Sequence, residues 1–223
     1  MKQPLNIWEW RERAQRRLPR IVFDYLDGGA EEESCLARNR ATMESIQLRP
    51  ALLNDVSKID MSVEMLGQRF ELPIAITPTG FNGLFWPDGD IALARAAAAC
   101  KIPFTLSTPS NARLERIPRE AGGTHWLQLY VMSDRAAAEQ MMKRALAANF
   151  SALILTADVP VGGYRERDLR NGFKLPLQYT LPMMLDVVWS YPITADGNST
   201  ARRRRWMCCP RSLPPWRAAS QCS

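Results

Sequence analysis

Residues 151–158 read SALILTAD, an apolar run that ends abruptly in a hydroxyl, Thr156, and a carboxylate, Asp158. A short, non-alternating run of this kind is the pattern of a strand buried on both faces. The same shape occurs three times upstream, as LPIAITP at 72–78, IPFTLST at 102–108 and WLQLYV at 126–131. Helix-forming segments fill the gaps. DGDIALARAAAACK (88–101) opens at an Asp-Gly cap, NARLERIPREA (111–121) is weakened at its end by Pro118, and SDRAAAEQMMKRALAANF (133–150) is capped by Ser133. Strands starting near residues 73, 102, 126 and 152 with helices between them predict βα units and a parallel sheet.

Every run finishes in polar residues: Thr77, Ser107 and Thr108, Tyr130, and Thr156 with Asp158. That end of a strand carries the active site in a TIM (β/α)₈ barrel and the ligand site in an open doubly wound sheet. No GxGxxG follows the first run, since TPTGFNG does not match it, and the α/β barrel is favoured. Four βα units are half of such a barrel. Ahead of them, NIWEWRERAQRRL (6–18) predicts a helix capped by Asn6 with Glu9 three residues on. PRIVFDYLDGG (19–29) predicts a short helix stopping at Gly28-Gly29, and AEEESCLARNRATMESI (30–46) a third, acid-rich at its start.

The net charge of +6 belongs to one segment. Residues 201–223 hold six arginines and no acid; removing those six from the 29 Lys and Arg leaves 23, equal to the 23 Asp and Glu. Residues 1–200 are therefore neutral, and an Arg run without aromatic platforms is a poor nucleic-acid surface, so no nucleic-acid partner is expected. Cys208, Cys209 and Cys222 lie in the same segment, while Cys35 and Cys100 stand apart, so neither a disulfide framework nor a metal spacing is visible. With no signal segment and no run approaching ~18 apolar residues, a cytoplasmic protein is expected.

Gln128 lies inside an otherwise apolar run, where an unpartnered amide costs about 1–3 kcal/mol. It therefore needs a polar target, either neighbouring backbone or a ligand. Thr156 and Asp158 could simply cap a strand-to-helix turn. Converging with Thr77, Ser107 and Tyr130 at one end of a barrel, they instead suggest a site. Arg165 and Tyr25 are candidate anion binders, because a guanidinium fork matches a carboxylate and a phenol adds a donor. The plainer alternatives are an ion pair of Arg165 with Glu166 or Asp168, and helix packing for Tyr25. His125, the only histidine, precedes the third run at the opposite face and reads as structural.

These residues resemble a known family. RLPRIVFDYLDGGAEEE (17–33), LRP (48–50), LPIAITPTGFNGL (72–84), IPFTLST, WLQLYV and LTADVPVGGYRERDLRNGF (155–173) are similar, in order and spacing, to FMN-dependent 2-hydroxy acid dehydrogenases and oxidases. The GYRERDL form and Gly80 look closest to the mandelate dehydrogenases within it. The resemblance implies oxidation of an (S)-2-hydroxy acid to the 2-oxo acid, with electrons leaving to a membrane quinone or carrier. It implies that Pro78, Thr79 and Gly80 face the flavin with their backbone, and that Ser107, Gln128 and Thr156 bond the isoalloxazine edge. Tyr25 and Arg165 would hold the substrate carboxylate, Tyr130 would lie near the substrate hydroxyl, and Asp158 would orient a catalytic base. No metal is implied.

The family's base histidine in an SNHGG-like segment, a second substrate arginine, a lysine near flavin N1 and the phosphate-binding late strands do not occur in residues 1–223. The expectation is a barrel part over 1–192, a non-native or disordered tail over 193–223, weak or absent FMN binding and no turnover by this chain, the longer parent being a homo-oligomer, a tetramer. A non-catalytic half-barrel is the alternative, and a basic-tail nucleic-acid binder a more remote one. PLQYTLPMMLDVVWSYPI (176–193) reads as a peripheral membrane segment on the inner face or as an ordinary active-site loop.

Overall fold

Parallel pairing occurs where the apolar runs lie. The computed structural model describes residues 3–130, 133–158 and 161–173. The expected tail (193–223) and membrane segment (176–193) fall outside them. Strands β3 (Phe104–Leu106), β4 (His125–Tyr130) and β5 (Ala152–Thr156) form a parallel sheet in that order. Its register sets Leu106 beside Leu127 and Gln128 beside Ile154. The first run contributes only a parallel bridge from Ile76 to Phe104, where a full strand was expected. Pro73 and Pro78 flank it and have no N–H to donate, so the ladder is limited to Ile76 N–H on Pro103 O and Thr105 N–H on Ile76 O, both 3.0 Å.

One sheet face packs under α5 (Gly89–Ala99), α6 (Arg116–Ala121) and α7 (Arg135–Ala147). Phe104, Leu106 and Leu127 meet Ile91, Ala94, Ala97, Ile117 and Ala145 there, a buried apolar cluster. The run of alanines in α5 keeps its sheet-facing side thin, which allows close approach. Leu153 and Leu155, on the same face of β5, stay exposed at 47% and 57%. The opposite face carries Thr105, Trp126 and Gln128. A hairpin, β1 (Val63–Met65) with β2 (Gln68–Phe70), sets Phe70 edge-on to Trp126 at 6.0 Å. Its turn runs through Leu66 (φ 52°) and Gly67 (φ 72°), a left-handed pair matching the twist of two-residue hairpins. The sequence reading did not foresee this hairpin.

The N-terminal helices are α1 (Ile7–Arg17), α2 (Arg20–Asp27) and α3 (Ser34–Glu44). Asn6 caps α1 as expected, accepting from Glu9 N–H at 3.0 Å. Gly28 ends α2 in an extended conformation instead of the left-handed one glycine usually provides. α3 begins later than expected, because Glu31 and Glu33 adopt positive φ. The cap of α7 is Asp134, accepting from Ala137 N–H at 3.1 Å, and not Ser133. Pro118 lies in the first turn of α6, where its missing N–H costs nothing, and does not weaken the helix end. Two short helices, α4 (Asn82–Phe85) and α8 (Glu166–Arg170), complete the described elements.

His125 is structural in location. It lies buried at the start of β4 between Phe104 and Phe150, and neither ring nitrogen completes a hydrogen bond with the described residues. Burial pushes its pKa below the ordinary 6.5, opposed in part by the Gly122 carbonyl. Below pH ~6.5 the unfolded chain therefore binds a proton the folded chain refuses, and stability falls until the folded pKa is reached. Thermal melts between pH 7.5 and pH 5 should show that decline, and His125→Phe should flatten it. Parallel declines in both proteins would assign the pH dependence elsewhere.

Candidate active site

Gln128 resolves the question its position raises. It is 1% exposed, and its amide joins the ends of three strands. Its Oε1 accepts from Thr108 N–H at 2.9 Å and Ser107 Oγ at 3.3 Å, and its Nε2 donates to Thr156 Oγ1 at 2.9 Å. The register that pairs Tyr130 with Thr156 makes this possible, since Gln128 and Thr156 point to the same face two residues apart along the strands. Thr108 locks the row from the other side, donating to Gln128 O at 2.6 Å and accepting from Tyr130 N–H at 3.2 Å. Ser107, Gln128 and Thr156 thus meet at the C-terminal edge of the sheet. Thr108 was missed as a site residue; two hydroxyls in succession at a strand end were the available signal.

Beside the row runs the Pro78–Gly80 segment, with Pro78 and Thr79 exposed and Gly80 half-buried. A methyl at Gly80 would come within 3.1 Å of Pro109 Cγ, so the loop lies close against the turn after β3. Phe81, the next residue, meets Tyr25 edge-on at 6.3 Å. Tyr25 also stacks on Phe173 at 4.5 Å and on Phe85 at 6.2 Å, so the packing expected of a helix tyrosine is realised. Burial raises its pKa, the Arg165 charge opposes that rise, and Asp168 and Tyr130 reinforce it. Tyr130 is 39% exposed at the end of β4.

Arg165 is brought to Tyr25 across 140 residues of sequence, its Cζ lying 4.9 Å from the ring centroid. Its Nε donates to Asp168 Oδ2 at 2.6 Å, and its Nη2 to Tyr25 O at 2.5 Å and Gly28 O at 3.0 Å. The ion pair weighed against an anion site is thus formed, and with Asp168, not Glu166, which pairs with Arg170. Among the described residues Nη1 is the one nitrogen of this guanidinium left without a bond, and so the one open to a further acceptor. An open pocket of about 270 Å³ lies here, lined by Tyr25, Tyr164, Arg165, Asp168 and Phe173. Asp168 is buried, and its Oδ1 has no partner among the described residues. Asp158 is exposed beyond β5, with no side-chain bond among the described residues.

Arg167 holds this arrangement from outside the pocket. It donates to Asp27 Oδ2 at 3.4 Å and to Glu33, while Arg11 forks onto Asp27 at 2.5 and 2.7 Å. Together with Glu31 N–H on Tyr164 O at 2.7 Å, these bonds tie the end of α2 and the turn after it to α8 and to Tyr164 just ahead of it. The arginines of the YRERD stretch therefore serve the N-terminal helices as much as the pocket.

A planar heterocycle with donors and acceptors along one edge fits this edge of the sheet. Gln128 Nε2 keeps a second hydrogen and the Thr156 hydroxyl keeps its own, while Gly80 lies close against Pro109, next to Thr108 of the row. Comparisons with known proteins agree. Residues 14–208 match the family described as FMN-dependent dehydrogenase, a match that runs past residue 192. The chain is 46% identical over 181 residues to (S)-mandelate dehydrogenase of Pseudomonas putida, covering 81% of this chain and 46% of that protein. It is 38% identical over 193 residues to an L-lactate dehydrogenase of Ectopseudomonas mendocina, covering 85% and 51%. A crystal structure of the monotopic membrane protein (S)-mandelate dehydrogenase superposes with a TM-score of 0.79 at 44% identity, over 85% of this chain and 50% of that one. The chain thus spans about half the length of these relatives, and its described residues form a partial sheet, not a closed barrel.

Proposed function

Because the chain belongs to the FMN-dependent dehydrogenase family, a family of TIM barrels, we propose that it carries the flavin-ring and carboxylate portion of a site that oxidises an (S)-2-hydroxy acid to the 2-oxo acid. The observation that carries this reading is the hydrogen-bonded row of Ser107, Gln128 and Thr156 at the C-terminal strand ends. When bound, FMN would supply the two-electron acceptor that oxidation of the substrate carbon needs. The protein's part is orientation and electrostatics. Gln128 and Thr156 would present donors to the ring edge, and the Pro78–Gly80 backbone would face the ring. Arg165, through Nη1, and the Tyr25 hydroxyl hold the substrate carboxylate, and Tyr130 stands beside the substrate hydroxyl. Asp158, open to solvent at the strand end, is available to orient a base. Support for a mandelate- or lactate-like acid comes from the relatives' names, and the monotopic membrane relative supports passage of electrons to a membrane quinone or carrier. Among the described residues no helix is long and apolar enough to cross a membrane.

Fluorescence titration of FMN with the chain tests the reading. Quenching should be saturable, and addition of (S)-mandelate should then shift the flavin absorption. Unchanged emission up to the highest soluble protein concentration would remove the reading.

A further inference from the structure

Asn82, Asp90 and Ser110 have no role in the site as described, yet they are joined. Asp90, in the first turn of α5, is 2% exposed. Its Oδ1 accepts from Asn82 Nδ2 and its Oδ2 from Ser110 Oγ, both at 2.7 Å. The Asn82 amide also donates to Thr79 O at 3.0 Å, and Ser110 Oγ accepts from Ala112 N–H at 2.9 Å. Around this core, Phe81 N–H bonds Pro109 O at 3.0 Å and Gly83 N–H bonds Asn111 Oδ1 at 3.1 Å. Two glycines permit the approach: a Cβ at Gly89 would lie 2.6 Å from Asn82 O, and one at Gly83 would lie 2.8 Å from Asn111 Cβ.

Burying a carboxylate is costly unless its oxygens are bonded. Among the described residues Asp90 has no cation partner; two neutral donors and the N-terminus of α5 satisfy it. A carboxylate is acceptor-only, so it dictates which way the Asn82 amide faces and sends its second hydrogen to Thr79 O. The two segments it joins, 79–83 and 107–112, carry Gly80 on one side and Ser107 with Thr108 on the other.

We propose that Asp90 is a positioning residue of the flavin site: through Asn82 and Ser110 it fixes the Thr79–Gly80 backbone relative to the Ser107–Thr108 pair. This rests on the reading of those two segments as flavin-facing. The test uses the full chain, with Asp90→Asn and the milder Ser110→Ala, measuring residue-resolved hydrogen exchange and FMN fluorescence titration. In Asp90→Asn the amides of Phe81, Gly83 and Ala112 should exchange about tenfold faster while those of Leu127 and Gln128 keep their rates. FMN affinity should fall by about tenfold, with Ser110→Ala giving a smaller change in the same direction. Uniformly faster exchange across the sheet, or local loosening with unchanged FMN affinity, would overturn the proposal. So would an Asp90→Asn protein that fails to fold beside a Ser110→Ala protein with wild-type exchange and affinity. Should the wild-type chain bind no FMN, the functional reading fails by itself, and local exchange alone decides whether Asp90 holds the two segments together.

Discussion

Gln128→Leu is expected to lower stability by about 3 kcal/mol and to abolish FMN quenching, because leucine fills the volume but leaves the Thr108 N–H and the Ser107 and Thr156 hydroxyls without their shared partner. An orphaned group costs about 1–3 kcal/mol when buried, as at Ser107, and less at the half-buried Thr108 and Thr156, and hydroxyl rotation recovers part of that for the two side chains. The backbone N–H of Thr108 cannot rotate away. Urea melts give the stability, and the same titration that tests flavin binding gives the function. A loss below about 0.5 kcal/mol would mean that the row relaxes freely and does not preorganise anything.

Arg165→Met should produce two separable losses. Affinity for a 2-hydroxy acid, read from the flavin spectral shift, should drop about 10²-fold, since a charge-assisted bond to the carboxylate disappears. Stability should fall by roughly 2–3 kcal/mol, because Asp168 stays buried with both oxygens unpartnered among the described residues; the partial exposure of Arg165 keeps the figure below that of a fully buried pair. A surface ion pair would be worth only about 0–1 kcal/mol. The double variant Arg165→Met/Asp168→Leu distinguishes the two effects. Replacing both partners by apolar groups should restore much of the stability while acid binding stays lost. If acid binding returned along with stability, Arg165 would be a prop for α2 and not a substrate ligand.

The comparison of sequence with structure turns on how local each cause is. The four apolar runs were legible because burial on both faces leaves an unbroken pattern, and three became strands where expected. The first did not, because prolines at its ends remove donors that only a register reveals. Ser133 and Asp134 are both capable caps, and nothing but backbone geometry at the helix start chooses between neighbours. Gln128 was legible as a residue in need of polar partners because an amide in an apolar run demands them, and the strand ends supply them. Asn82, Asp90 and Ser110 were not, because their meaning lies in contacts across 8 and 20 residues that no period announces. For Arg165 the sequence offered two partners, a ligand or a nearby acid. The start of α8 brings Asp168 to its Nε, three residues on, and leaves one nitrogen over.

The bonds that tie the end of α2 and the turn after it to α8 and the residues just ahead of it also set an order of events during synthesis. Tyr25 and Arg165 are separated by 140 residues, and Arg167 reaches back 134 to Glu33. Closing a loop of that length costs entropy that only already formed neighbours can offset. α1 and α2 can coil as they leave the ribosome, and the βα units can stack one by one. The pocket between Tyr25 and Phe173 cannot exist until nearly all the described chain has emerged. It is thus the last part to be assembled and, being joined by exposed or half-buried ion pairs, the first expected to open again, at a free energy well below that of the sheet.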